Sequence, residues 1–316
     1  MNIVFLGSSK FAIPSLSRIV SSSHNIICVV TQPDRIKGRG LALSSTEVKK
    51  LSQVHKLRIY QPEDINKQES VDFLKGLSPD IFVVVAFGQI LSRFILEIPR
   101  IMAINLHASL LPKYRGAAPI NWALIRGETQ TGLSIIKMEE KLDAGPIILQ
   151  RSLDIKDTED AQTLADRLSK SGSDLLLEAI DLIQTNKYKL ITQDERKATF
   201  APKLKKEDGL IYWDKSAQDI FNLIRGCAIW PSAFTHYQGK ILKIHKAKPY
   251  NTPSFEVSRL EELPGEILRI SKEGIVVATG RENLLIQELQ IEGKKRITAS
   301  DFVSGYRISV GDIFGR

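Results

Sequence analysis

Cysteine is scarce in this 316-residue chain: only Cys28 and Cys227 are present, and neither has a Cys or His neighbour at metal-ligand spacing. A disulfide framework is therefore excluded, and both residues read as reduced thiols in a reducing compartment. The histidines, at 24, 55, 107, 236 and 245, are scattered, so no metal site is expected. No apolar stretch approaches the roughly 20 residues of a membrane span. The opening MNIVFLG is too short for a secretory signal core and has no basic flank. A cytoplasmic protein with no membrane partner is expected. There is no Walker A loop and no Gly-x-Ser-x-Gly elbow. The first apolar run ends in Gly7-Ser8-Ser9-Lys10, which lacks the glycine spacing of a dinucleotide fingerprint. Internal repeats and low-complexity tracts are absent too.

What is present is ordinary for a globular chain: 43% hydrophobic and 25% charged residues. The length suits two domains, each with its own core. The formal charge is +8. The excess is concentrated, with 11 Lys/Arg against 4 Asp/Glu over residues 196–248. A polyanionic partner is compatible with that distribution.

Short apolar runs at 3–6, 26–30, 81–86 and 101–106 are rich in Val and Ile and apolar on both faces, as buried parallel strands are. Amphipathic stretches at 11–20, 46–55, 69–77 and 117–126 alternate with them as helices. This alternation predicts an α/β domain with a Rossmann-like, doubly wound parallel sheet, whose ligand crevice lies beyond the carboxyl ends of the strands. Two further strands are expected at 134–138 and 147–153, then a long helix over 158–183. On that helix Leu164, Leu168, Leu175 and Ile183 share one side. The texture changes near Lys187: residues 189–208 are polar, basic and aperiodic, and read as a linker. Beyond them come a helix at 217–225 and β-like runs at 241–245, 265–270, 275–278 and 284–289, which suggest a small barrel or sandwich. The resulting division is 1–188, 189–208 and 209–316.

Three segments could carry chemistry. The fourth run ends in Asn105-Leu106-His107-Ala108-Ser109-Leu110-Leu111-Pro112. Strand alternation puts Asn105 and His107 on one side, where an amide and an imidazole could donate to one developing oxyanion. Leu142-Asp143-Ala144-Gly145-Pro146 places a carboxylate in a loop. Residues 31–40 carry three cations, Arg35, Lys37 and Arg39, with two glycines. Taken singly, each has an ordinary structural reading: a turn-capping Asn beside a structural His, a turn Asp bonded to its own backbone, and a solvated loop.

Taken together, these residues resemble a known family. Residues 109–120 read SLLPKYRGAAPI. With Asn105 and His107 before them, Asp143 after them and the basic loop upstream, the chain resembles the folate-dependent formyltransferases along its whole length. The tail of the motif, the basic loop and the C-terminal region narrow the resemblance to the branch that formylates methionyl-tRNA. The resemblance implies transfer of the formyl group of 10-formyltetrahydrofolate to the methionine amine of initiator methionyl-tRNA. It implies Asn105, His107 and Asp143 as catalytic residues. Ser109, Leu110, Leu111 and Pro112 would line the folate site, with Phe87, Gly88, Gln89, Ile90 and Leu91 against the pterin. The C-terminal domain would be a small OB-like β-barrel that holds tRNA, contacted by Lys203, Lys205, Lys206, Lys240, Lys243, Lys246 and Lys248. Arg35, Lys37 and Arg39 would engage the acceptor stem, and a monomer without metal is expected. The chain has Ala144 where relatives often carry Thr, and its loop after Gly40 is less basic than in some. Alternatives are a folate-dependent enzyme acting on an amino sugar, a nucleotide or formyltetrahydrofolate itself, and a non-catalytic RNA-binding protein.

Overall fold

The computed structural model describes residues 1–37, 42–250 and 262–315. The elements of the first half are β1 (Asn2–Gly7), α1 (Ile13–Val20), β2 (Asn25–Val30), β3 (Arg35–Lys37), β4 (Ala42–Ser44), α2 (Glu47–Val54), β5 (Ile59–Tyr60), α3 (Gln68–Gly76), β6 (Ile81–Val85), α4 (Arg93–Leu96) and β7 (Met102–His107). Then come α5 (Pro119–Ile125), β8 (Gln130–Lys137), β9 (Ile147–Asp154) and the long α6 (Ala161–Gln184). The rest comprises α7 (Ala217–Gly226), β10 (Ala233–Tyr237), β11 (Lys240–Tyr250), β12 (Ile267–Ser271), β13 (Gly274–Ala278), β14 (Asn283–Ile291), β15 (Ile297–Thr298) and α8 (Ala299–Tyr306). They form two compact units. The first is Met1–Pro119, Gln130–Asp154 and Leu164–Pro202; the second is Ile120–Thr129, Ile155–Thr163 and Lys203–Arg316.

The first unit is built on a seven-stranded sheet of order β5-β2-β1-β6-β7-β8-β9. β5, β2, β1, β6 and β7 are parallel; the apolar runs of β1, β6 and β7 are buried on both faces as the composition requires, while the short β5 and the start of β2 are partly covered. β8 and β9 correct the expectation of a wholly parallel sheet: both pairings are antiparallel. Only residues 138–146 separate β8 from β9, and so short a connection returns a strand antiparallel, whereas a parallel crossover needs a dozen residues or more. Strand order reverses between β1 and β6, so the crevice beyond their carboxyl ends is where a ligand site is expected. Leu164, Leu168, Leu175 and Ile183 of α6 are all buried. Burial of each such side chain is worth about 2 kcal/mol. Thr46 caps α2 by accepting the Lys49 N–H at 3.1 Å, worth about 1 kcal/mol.

The second unit is β-rich. Its antiparallel sheet runs β10-β11-β14-β13-β12, with β15 beside β14. Leu242, Ile244, Leu284, Ile286 and Leu289 fill the interior together with Ile220 and Ile224 of α7 and Phe302 of α8. Asn121 Nδ2 donates to the Gly226 carbonyl at 2.8 Å, tying α5 to the end of α7. Arg225 donates to the carbonyls of Lys156 and Glu159. Among the described residues no helix is long and apolar enough to cross a membrane.

Candidate active site

β7 places Asn105 and His107 on the same face, opposite Leu106, because strand side chains alternate. Leu106 packs against α6 at Gly172, so close that a methyl group there would come within 2.9 Å of it. Asn105 is half-buried, and its side chain has no hydrogen-bond partner among the described residues. The His107 ring is 6% exposed. Its Nε2 lies 2.9 Å from the Tyr114 carbonyl oxygen. A carbonyl only accepts, so Nε2 carries hydrogen and donates. Nδ1 is the nitrogen left over, and it lies 3.6 Å from Oδ2 of Asp143. That distance is ion-pair contact rather than a hydrogen bond. The fold therefore brings together a carboxylate and an imidazole 36 positions apart.

Asp143 is held from two sides. Its Oδ2 accepts the Gly116 N–H at 2.8 Å. Its backbone sits at φ +51°, a left-handed conformation that Asp tolerates better than most side chains. Two glycines allow the loops to approach. A Cβ at Gly145 would lie 1.8 Å from the Lys137 carbonyl oxygen, and one at Gly116 would lie 2.7 Å from that of Ala201. Neither position could carry a larger residue without moving the backbone.

The polar stretch read as a linker is bound into the first unit as far as Pro202. The Arg115 N–H donates to the Thr199 carbonyl at 2.9 Å, and the Ala201 N–H to the Arg115 carbonyl at 2.7 Å. Ile191 pairs with Ile147 in the same way. Beyond the backbone, Arg115 is buried at 1% exposure and bonds to Gln193 and Glu195. Lys141 also bonds to Glu195, at 2.6 Å. The hydrogen bonds from Arg115 and then Lys141 push the Glu195 carboxyl down to about 2. Sequence reasoning missed Tyr114, Arg115, Gly116 and Gln193. The first three lie inside SLLPKYRGAAPI, where only the motif as a whole was legible. Gln193 carried no signal.

The other expected residues divide. Ser109 and Leu111 are buried, and the Ser109 hydroxyl donates to the Lys113 carbonyl at 2.6 Å. Ser134 secures that turn by donating to the Ser109 carbonyl and accepting the Leu111 N–H. Leu110 and Pro112 are partly exposed. After β6, Phe87 and Leu91 are buried, whereas Gly88 and Ile90 are exposed. Gln89 accepts the Ile65 N–H at 2.8 Å. Ser8, at the end of β1, donates to the Phe87 carbonyl at 2.9 Å and accepts the Gln32 N–H at 3.1 Å. One hydroxyl thus joins the ends of β1, β2 and β6.

Arg35 is exposed and pairs with Glu63 at 2.6 Å. Lys37 ends β3, and Arg39 lies outside the described residues. The base of this hairpin is anchored by Asp34, which accepts from Lys49 at 2.6 Å and from Gln61 at 3.0 Å. The Lys49 hydrogen bond, then that of Gln61, holds the Asp34 carboxyl below its usual range. Lys203, Lys205, Lys206, Lys240, Lys246 and Lys248 are exposed, and Lys243 is half-buried. None of the seven forms an ion pair with a described residue. On β11 they alternate with buried Leu242, Ile244 and Ala247. Among the described residues no cluster of His, Cys, Asp and Glu could hold a metal.

The profile of the formyl transferase family matches residues 1–180, and that of the formyl transferase C-terminal domain matches residues 203–307. The methionyl-tRNA formyltransferase of Geobacter sulfurreducens is 44% identical over 315 residues, covering 100% of this chain and 97% of the relative. That of Geobacter metallireducens is 45% identical over 311 residues, covering 98% and 97%. Among solved structures, the sugar 3N-formyl transferase WlaRD, crystallised with dTDP and 5-N-formyl-THF, superposes with a TM-score of 0.66 at 18% identity, covering 93% of this chain and 99% of that one. At that identity the likeness is one of fold.

Proposed function

The chain belongs to the methionyl-tRNA formyltransferase family, and on that premise we propose how its own residues carry the reaction. The enzyme transfers the formyl group of 10-formyltetrahydrofolate to the α-amine of methionine on initiator methionyl-tRNA, for translation initiation. The amine nitrogen attacks the formyl carbon, the C–N10 bond of the folate breaks, and the proton lost by the amine ends on the folate nitrogen.

What supports the site assignment is the 3.6 Å approach of Asp143 to His107 at the carboxyl end of β7, with Asn105 on the same face of that strand. The carbonyl oxygen becomes an oxyanion as the carbon turns tetrahedral. The free Asn105 amide and Nδ1–H of His107 are the donors for it. Each such donor is typically worth ~2.7–4 kcal/mol in the transition state. Because Nε2–H is already committed to Tyr114, donation from Nδ1 requires the imidazolium, whose charge the Asp143 carboxylate balances at 3.6 Å. Asp143 also relays the amine proton through water toward the leaving nitrogen.

The folate lies along Leu110, Pro112 and the 87–91 loop, where Gly88 and Ile90 face solvent. The bound 5-N-formyl-THF of the WlaRD structure supports a folate donor. The unpaired lysines of residues 203–206 and β11, with Arg35, Lys37 and Arg39, hold the tRNA backbone. In fold terms, the order β5-β2-β1-β6-β7 supports a Rossmann-like reading of the catalytic unit, and the antiparallel second sheet supports an OB-like barrel. Functionally we divide the chain into 1–188 for catalysis, 189–208 as a connection whose part up to Pro202 also braces the catalytic unit, and 209–316 for tRNA. We place the enzyme in the cytoplasm as a monomer.

The test is direct. With 10-formyltetrahydrofolate as donor, the purified protein should formylate initiator methionyl-tRNA. It should not act on a dTDP-amino sugar or on glycinamide ribonucleotide. Transfer to either small acceptor at a comparable rate would overturn the tRNA assignment.

A further inference from the structure

The segment after α6 grips the Asp143 loop at three points. Gln193, 6% exposed, donates from Nε2 to the Asp143 carbonyl at 2.8 Å and to the Gly145 carbonyl at 2.7 Å. Its Oε1 accepts from Arg115 Nε at 3.1 Å and from Nη2 at 2.8 Å. Two residues on, Glu195 holds Lys141 from the same loop at 2.6 Å and accepts from Arg115 at 2.8 Å. Only one orientation of the Gln193 amide satisfies these partners, because a guanidinium only donates and a carbonyl only accepts. No other side chain of similar reach presents a double acceptor at one tip atom and a double donor at the other.

We propose that Gln193 is a positioning residue for formyl transfer, with buried Arg115 as the post to which it is fixed. The inference rests on the assignment of Asp143 to the active site. The Asp143 carboxylate is aimed by two restraints. The Gly116 N–H fixes its Oδ2, and Gln193 fixes the Asp143–Ala144 and Gly145–Pro146 peptide planes through their carbonyls. Gly116 follows Arg115 directly, so both restraints run through the same buried residue, one through its backbone and one through its guanidinium. The left-handed backbone at Asp143 is one that a free loop would leave, so the restraint from Gln193 sets where the carboxylate stands relative to His107. A misplacement of about 1 Å in such a site can lower turnover about 100-fold without touching substrate affinity.

The experiment is a double-mutant cycle on the full-length enzyme, with 10-formyltetrahydrofolate and methionyl-tRNA as substrates. Gln193→Glu keeps the reach and the Arg115 contact but turns the two donors into an acceptor facing two carbonyls. It should lower kcat by ~10–100-fold while KM for each substrate stays within ~2-fold. Asp143→Asn alone should also lower kcat steeply. Adding Gln193→Glu to Asp143→Asn should cost less than ~2-fold more, since there is no longer a carboxylate to aim. A merely structural role would instead show equal fractional losses in both backgrounds, and that result overturns the proposal. So does a kcat for Gln193→Glu within ~2-fold of the unmodified enzyme while Asp143→Asn is crippled. Undiminished turnover in Asp143→Asn removes the active-site reading itself. Should Gln193→Glu fail to fold, Gln193→Met is read through the same cycle by the same criteria.

Discussion

Near His107 the interior of the first unit is polar: Arg115 and Gln193 are buried there, each bonded at both ends. Between β11 and β14 of the second unit the interior is Leu242, Ile244, Leu284, Ile286 and Leu289, and the charges stand outside. The two interiors have different sensitivities. An apolar core tolerates swaps that conserve volume, usually at under about 1.5 kcal/mol. A buried polar network does not, because one changed group leaves its partners unsatisfied at about 1–3 kcal/mol each. The first arrangement dictates orientation, as chemistry requires. The second dictates only shape, which is enough for the phosphate contacts proposed for its lysines. Substitutions in the first unit should therefore move turnover, and those on the second unit's surface should move affinity.

The largest effect expected from this contrast is at β7. Asn105→Ala and His107→Ala should each lower kcat by at least ~100-fold, with KM little changed and the fold intact by circular dichroism. Near-normal turnover in both would dissolve the distinction between the units. Next in size is the triple substitution Lys243→Gln, Lys246→Gln, Lys248→Gln on β11. It should raise KM for methionyl-tRNA by about 10-fold or more and leave kcat and folate KM alone. The slope of log affinity against log salt should fall by about one per lysine. A fall in kcat instead would show that β11 contributes to chemistry.

The smallest effect sharpens the contrast at a buried phenol of the second core. Tyr237 donates to Asp312 at 2.9 Å, and burial, then the Asp312 carboxylate, pushes its phenol up to about 12. A folded value above the unfolded one of about 10 means that this contribution to stability is complete below pH 10. It is lost as pH rises toward 12. Tyr237→Phe should remove that alkaline loss, seen by denaturant unfolding on either side of the window, while turnover at neutral pH stays unchanged. An unaltered alkaline profile would show that Tyr237 does not control it.

Much of the first unit was legible in its residues. The runs at 3–6, 26–30, 81–86 and 101–106 became β1, β2, β6 and β7 within two residues at either end, because fully apolar β-branched segments have few other stable fates. The edges were harder. β5 has two residues and the β3–β4 hairpin three on each side, too few for a period to show. β10 and α8 were missed as well, although the Gln238-Gly239 turn between β10 and β11 and the Thr298 cap before α8 mark where each lies. At the site, Asn105 and His107 could be placed on one face by alternation alone; Asp143 was visible as a loop carboxylate, but only the family resemblance pointed it toward His107. Arg115 was legible only inside the SLLPKYRGAAPI motif, and Gln193 only as part of an aperiodic connection.

The sequence by itself determined most element types, the apolar faces and the family, and it named the candidate site residues, since each follows from local pattern or motif. Only the tertiary structure decided that Asp143 meets His107, that β8 and β9 turn antiparallel, and that residues 193–195 bind the loop that carries Asp143. The bonds from Gln193 to Asp143 and from Arg115 to Gln193 span 50 and 78 positions. Nothing local distinguishes a glutamine that will find those partners from one left in water. The path of the chain brings them together, and that path follows from the packing of the whole sheet.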